Sequence, residues 1–312
     1  MKKLTKTLLM LAVAVTVIFA SSSIAMAANS GYLTMEKPTS TTEVDITVDL
    51  TNYMPKYITA TSLTVTKWEI VDFNTGEIIT TGYTPYYETT LTRSPGYAGQ
   101  VKLVVYYDYT SSSGYSYSSS SNEYYYLNSK PATISKKNIG CYLYSSIGKM
   151  YFQGAKDNYA TGVQYKLYKM SSGKCVKTIS NKYTMTDSFG ISNNVAYKYK
   201  ARQYYTNPDT GETYYGSWSG YRYVMNPTCI KGTRNYSTGK VTIKVTGKSK
   251  VTGYEIRVSD TLNDGSGTLK KTLKPGVGKT ASYTLKTSKD YIKVIPILSG
   301  GHKSDYLTYF NN

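Results

Sequence analysis

A period of two runs through this chain. Apolar and polar residues alternate in short runs along nearly its whole length, and clusters of Gly, Pro, Asn, Asp and Ser separate the runs. Successive side chains of an extended strand point to opposite faces, so each run buries one face and wets the other. Glu43-Val44-Asp45-Ile46-Thr47-Val48-Asp49-Leu50 is the clearest example, and Gly162 to Met170 and Thr252 to Val258 follow the same rule. In Ser62 to Asp72 the pattern shifts near Lys67, which predicts a bulge or a strand break there. Apart from one apolar run at the N-terminus, no stretch carries a helical period. A strand with one apolar face needs a second layer to cover it, so the expected fold class is all-β, with sandwiches in tandem.

The N-terminal run has a different purpose. Met1 to Lys6 is basic, Leu8 to Ala20 is uncharged, and Ala25-Met26-Ala27 is a small-x-small site. Those three parts make a secretory signal, with Ala28 as the expected first mature residue. A membrane anchor is the competing reading. The apolar core is short for crossing about 30 Å of hydrocarbon, and Ser21 to Ser23 interrupt it. No later stretch is long and apolar enough, so no transmembrane segment is expected in the mature chain. The expected location is extracellular, either secreted or held at the cell surface.

Charge divides the remainder. Removing Lys2, Lys3 and Lys6 lowers the formal net charge from +18 to about +15. Residues 28–130 hold 6 Lys and Arg against 10 Asp and Glu, whereas residues 131–312 hold 28 against 9. Turn chemistry divides it further. Residues 31–130 read as a first β-sandwich, with strands at Glu43 to Leu50, Ser62 to Asp72, Val101 to Tyr109 and Glu123 to Leu127. Thr110 to Ser121, nearly all Ser, Gly and Tyr, reads as an exposed hairpin tip or a mobile loop. Residues 132–227 include a long hairpin, Val195 to Tyr205 and then Tyr214 to Ser219, turned by Asn207-Pro208-Asp209-Thr210-Gly211. Residues 228–312 run in the same order: Thr161 to Leu167 matches Thr252 to Val258, and Ala196 to Arg202 matches Asp290 to Pro296. The expected organisation is a signal at 1–27 and sandwiches at 31–130, 132–227 and 228–312, each of the size such a domain needs.

Three of these segments carry a resemblance: Gly253-Tyr254-Glu255-Ile256, Tyr197-Lys198-Tyr199-Lys200-Ala201-Arg202 and Tyr215-Gly216-Ser217-Trp218-Ser219. The C-terminal two-thirds resembles tandem fibronectin type III domains of the kind found in secreted proteins of Gram-positive bacteria. The middle segment matches best. The last lacks the Trp-Ser entry and has His302-Lys303-Ser304 in its place, and the first fits only a generic immunoglobulin-like sandwich. The resemblance implies a fold and says little of function, because sandwiches host many roles.

Chemistry is sparse. His302 is the only histidine and lies in a glycine-rich tip, and no Gly-x-Ser-x-Gly elbow occurs. Cys141, Cys175 and Cys229 form no Cys-x-x-Cys pair, which leaves the usual zinc arrangements out. In a secreted protein Cys141 and Cys175 are the candidate disulfide; the alternative is that all three are unpaired, small buried hydrophobes. Glu69 with Glu88, or Glu36 with Glu43, are available as carboxylate pairs for glycosidic chemistry, but solvated strand faces explain them better. No catalytic residue, cofactor or metal is expected.

Tyrosine is the outlier, with 36 residues against 5 Phe and 2 Trp. Most suit half-buried strands, ring inward and hydroxyl outward. Tyr115 and Tyr117, with Tyr109 close by, lie in or beside a serine-rich stretch that does not bury them easily, and Tyr204, Tyr205, Tyr214 and Tyr215 flank the second hairpin tip. Tyr with Ser and Gly is the composition of antibody recognition loops, so these seven are the candidate ligand-binding residues. Trp68 and Trp218 read as core or core-edge residues. The lysine excess suits attraction to anionic polymers or guarded strand edges. No interleaved basic–aromatic run or recognition helix points to specific nucleic-acid binding. The expected function is a secreted or cell-surface binding or adhesion protein, recognising a glycan, an anionic cell-wall polymer or an extracellular protein through aromatic-rich loops. A structural spacer or surface-assembly protein, and an accessory or catalytic module acting on extracellular polysaccharide, are the alternatives.

Overall fold

The structure is a computed structural model that describes residues 31–144, 149–183, 189–262 and 266–311. The expected signal at residues 1–27 lies outside the described residues. Two compact units make up the rest. The first contains the described residues up to Ala132 together with Asp157–Ala160 and Tyr204–Gly216; the second contains Thr133–Lys156, Thr161–Gln203 and the residues from Ser217 onward.

The first unit contains β1 (Leu33–Met35), β2 (Glu43–Asp49), β3 (Ala60–Asp72), β4 (Ile78–Gly82), β5 (Tyr86–Thr92), β6 (Gln100–Ser111) and β7 (Ser116–Tyr126). They form two antiparallel sheets, β1-β2-β5 and β4-β3-β6-β7. Val44, Ile46 and Val48 of β2 share a core with Ile70 of β3 and with Val101, Leu103 and Val105 of β6. That shared core makes the pair of sheets a sandwich. Trp68 lies fully inside it, as its sequence context predicts, and its Nε1 donates to the Thr84 carbonyl at 2.9 Å. The register of β3 on β6 shifts between Val65 and Lys67, where the alternation breaks.

One expectation is corrected here. Of the two readings of Thr110 to Ser121 the exposed hairpin tip holds and the loop does not, and strand reaches further into it than expected. β6 continues to Ser111 and β7 begins at Ser116, paired from Thr110↔Ser116 to Gln100↔Tyr126. Only Ser111 to Tyr115 turn, with Gly114 at φ +85°. The backbone ladder holds this strand whatever its side chains are.

Two more sandwiches follow, which the second unit contains apart from Tyr204–Gly216. β8 (Ile139–Tyr144), β9 (Lys149–Gly154) and β12 (Phe189–Gly190) make a three-stranded sheet. Opposite it lies a sheet of β11 (Cys175–Asn181), β10 (Gly162–Lys169), β13 (Ala196–Thr206), β14 (Thr213–Tyr215) and β15 (Arg222–Met225). Met150, Phe152, Tyr165, Tyr199 and Val224 fill the space between, and Phe152 stacks on Tyr165 at 4.9 Å. The last sandwich repeats the order. β16 (Ile230–Asn235), β17 (Lys240–Thr246) and β20 (Thr280–Leu285) face β19 (Thr268–Leu273), β18 (Val251–Ser259), β21 (Tyr291–Leu298), β22 (His302–Lys303) and β23 (Thr308–Asn311). Ile243, Tyr254, Ile256, Ile292 and Val294 form its core. The fold is all-β, in tandem immunoglobulin-like sandwiches.

These two sandwiches meet through partly buried polar groups. Asp305 accepts from Arg222 Nη2 at 2.6 Å and Nε at 2.8 Å, and from the Tyr199 hydroxyl at 2.7 Å. Met225 and Leu298 pack together beside it, and the Met225 amide donates to Ser304 Oγ at 3.2 Å.

The disulfide expectation is corrected too. All three cysteines are unpaired thiols. Cys141 is on β8 and Cys175 on β11, in opposite sheets of the middle sandwich. Cys141 packs against the core, where burial pushes its thiol up to about 12. Cys175 is exposed, so the reading of three buried cysteines does not hold for it.

Candidate functional site

The seven candidate tyrosines fall into two groups that differ in exposure. In the first sandwich, β3, β6 and β7 are 13, 12 and 11 residues long, while β1, β2 and β5 opposite them are 3, 7 and 7. At about 3.4 Å per residue, the longer sheet extends past its partner by several residues. The pairs Val65↔Tyr107, Leu63↔Tyr109 and Tyr109↔Tyr117 place these side chains on the core-facing side of that extension. A chain of ring contacts results: Tyr32 to Tyr53 at 4.9 Å, Tyr53 to Tyr107 at 5.8 Å, Tyr107 to Tyr109 at 6.1 Å and Tyr109 to Tyr117 at 5.4 Å. The last pair is stacked, with planes 27° apart.

This ledge runs from core to solvent. Tyr53 and Tyr107 are buried, Tyr109 is half-buried, and Tyr117 is 49 % exposed. Burial raises the Tyr53 hydroxyl well above the ordinary phenol value, and that hydroxyl meets Ser121 Oγ in a short hydrogen bond. Tyr115 at the turn is 66 % exposed, and Tyr57, from the loop after β2, is 96 % exposed. Rings braced on one another lose little freedom when a partner docks, and each offers an apolar face and a polar tip. Sequence composition singled out Tyr109, Tyr115 and Tyr117. It gave no sign of Tyr53, which arrives from another loop.

The second group divides by parity. Tyr205 and Tyr214 are opposed across β13 and β14 and are buried with Ala98, so burial removes them from the exposed set. The hydroxyls of both are raised chiefly by burial. Tyr204 and Tyr215 point the other way, 6.1 Å apart, with Tyr215 exposed. The tip is fixed by Asn207, whose side-chain amide donates to the Tyr126 carbonyl at 2.9 Å and to Asn128 Oδ1 at 2.7 Å. The Tyr126 amide in turn donates to Asp209 Oδ2 at 2.7 Å.

A third surface was not foreseen. On β13, Tyr197, Tyr199 and Ala201 point into the core, which turns Lys198, Lys200 and Arg202 outward. Lys166 and Tyr168 of β10 share that outer face, and Trp218 and Tyr221 join it from the segment between β14 and β15. Lys198 Nζ lies 4.2 Å from the Tyr221 ring centre, Lys200 Nζ 4.9 Å from that of Trp218, and Arg202 Cζ 4.5 Å from that of Trp218. Lys166 Nζ approaches Trp218 at 5.2 Å. Cations of two strands therefore interleave in space with rings that come from a separate, irregular stretch of the sequence. Trp218 is a half-buried member of this outer face, at the edge of the core rather than inside it like Trp68.

The remaining candidates do not converge. Glu69 lies on β3, held by Lys67 at 2.6 Å and by the Tyr106 hydroxyl at 2.9 Å, and these bonds lower its carboxyl despite partial burial. Glu88 lies on β5, in the other sheet, and accepts from the Tyr86 hydroxyl. His302 stacks flat on Tyr223 with centres 3.8 Å apart. Among the described residues no three His, Cys, Asp or Glu side chains are grouped as a metal site. Nor is any described helix long and apolar enough to cross a membrane.

No protein-family model matches the chain, and no curated protein matches it in sequence. Among solved structures, it is similar to a two-domain fibronectin type III segment of chicken tenascin, with 10 % identity over 62 % of this chain and 97 % of that one and a TM-score of 0.29.

Proposed function

We propose that this chain is an exported, non-enzymatic binding protein of the extracellular space, whose first sandwich presents the tyrosine ledge to a glycan, a wall polymer or a protein. The observation that carries this reading is the stacked Tyr109–Tyr117 pair with Tyr115 beside it, exposed on a hairpin that outruns its sheet. Large rings left in water on a rigid element supply contact area at low entropic cost, which is how recognition surfaces are commonly built. Export is supported by the three-part pattern of residues 1–27. Sequencing the N-terminus of protein recovered from culture medium tests it, and Ala28 is the expected first residue.

The binding test uses purified residues 28–312 on a glycan array and on isolated cell wall, at about 0.15 M and about 0.5 M salt. Saturable binding that survives the higher salt and falls about tenfold in Tyr115→Ser/Tyr117→Ser is the expected result. Binding unchanged by the double substitution removes the ledge from the function. A spacer role for the second unit is supported by its Arg222–Asp305–Tyr199 joint, which ties two sandwiches into one body.

A further inference from the structure

We infer that the outer face of β10 and β13 is a second binding site, independent of the tyrosine ledge, that takes an acidic polysaccharide along the strand direction. Lys198, Lys200 and Arg202 occupy alternate positions of one strand, so their side chains leave the sheet about 7 Å apart in a straight row. Lys166 on the neighbouring strand widens that row. Among the described residues, no carboxylate lies within ion-pair distance of Lys166, Lys198 or Lys200. These three lysines are therefore uncompensated and electropositive, and they attract a polyanion.

The aromatic rings make this a built site rather than a patch of solvated lysines. Trp218 has Lys166, Lys200 and Arg202 around it, and Tyr221 has Lys198 and Lys200 at 4.2 and 5.3 Å. A cation resting on a ring is held in place yet keeps its charge. Heads already ordered forfeit less entropy when sulfate or carboxylate groups arrive. The same contacts decide the ligand class. Single-stranded nucleic acid on a sheet relies on open ring faces for base stacking, and here cations occupy those faces. A polymer that brings charge without bases fits better, namely a glycan bearing an anionic group at regular intervals.

The test compares a sulfated probe, a heparin oligosaccharide, with an oligothymidylate of equal charge, by titration of the full mature chain over a range of salt. The heparin oligosaccharide is expected to bind at least about tenfold more tightly. In Lys198→Gln/Lys200→Gln the logarithmic salt slope is expected to fall by about 2, one per lost cation. The charge-matched control Lys270→Gln/Lys271→Gln, on exposed residues of β19, is expected to leave slope and affinity nearly unchanged. Lys198→Arg/Lys200→Arg is expected to restore binding. Equal loss in the control, or equal affinity for the oligothymidylate, overturns the proposal. Should the glutamine variant unfold, lysine acetylation of the wild-type chain decides: the bound oligosaccharide must shield Lys198 and Lys200 more than Lys270 and Lys271, and equal labelling overturns the site. Tyr115→Ser/Tyr117→Ser is expected to bind heparin normally, so failure of the ledge and failure of this site are separable.

Discussion

A Cβ added at Gly82 would stand 2.1 Å from Cζ2 of Trp68, inside the indole's own volume. Gly82→Ala must therefore push Trp68 from a fully buried seat and away from the Thr84 carbonyl. The expected cost is about 1–3 kcal/mol, seen as a lower urea midpoint with an unchanged slope. Asp72 gives a pH signature. Burial pushes its carboxyl up, but hydrogen bonds from the Tyr97 hydroxyl and from the Thr75 and Asn74 amides outweigh that and hold it below the ordinary range. A carboxyl lowered on folding adds stability that is complete above its unfolded value of about 3.9 and is lost as pH falls through the folded one. Unfolding at neutral and acid pH should show Asp72→Asn well below wild type at neutrality and the two converging in acid. Thiols offer a third check. Iodoacetamide followed by mass spectrometry should label Cys175 quickly in the native chain and Cys141 only after unfolding, since burial keeps the latter protonated. Burial of Trp68 was legible in its surroundings. The exclusion of Tyr205 and Tyr214 was not, because alternation names two parities without saying which one meets a partner.

Elements were legible where side chains decide them and obscure where the backbone does. β2, β10 and β13 carry strict alternation and form where it places them. β7 misleads because Ser118, Ser119, Ser120 and Ser121 lack the β-branched and aromatic residues that mark a strand. It forms because β6 offers a full set of amides and carbonyls, and a polar edge strand also discourages pairing with other chains. The turn that permits this is narrow. At φ +85°, Gly114→Ala should cost about 1 kcal/mol. Denaturant unfolding measures that cost, and hydrogen exchange should show faster opening of the β6–β7 amides nearest the turn. The basic–aromatic face was hidden for a related reason. Its cations obey the period of β13, but Trp218 and Tyr221 come from an irregular stretch whose direction no periodicity sets.

At the scale of the molecule, composition foretold an all-β chain with a change of charge after residue 130, and the sheets follow. What it did not foretell is that Tyr204–Gly216 belongs with the first compact unit. Asn207 and Asp209 are ordinary turn residues by sequence, yet their side chains bond Tyr126 and Asn128. Asn207→Ala leaves a part-buried carbonyl and a buried amide oxygen without that donor, and about 1–3 kcal/mol of lost stability is expected in thermal unfolding of residues 28–312. Tandem sandwiches are often regarded as interchangeable cassettes, cut and rejoined at their linkers as lineages diverge. Here the natural cuts would sever function from support: removing residues 132–227 takes Asn207 and Asp209 from the first sandwich, and removing residues 228–312 takes Asp305 from Arg222 and Tyr199. Each of these cuts is therefore expected to destabilise the sandwich it leaves behind, whereas exposed turn residues are free of such ties.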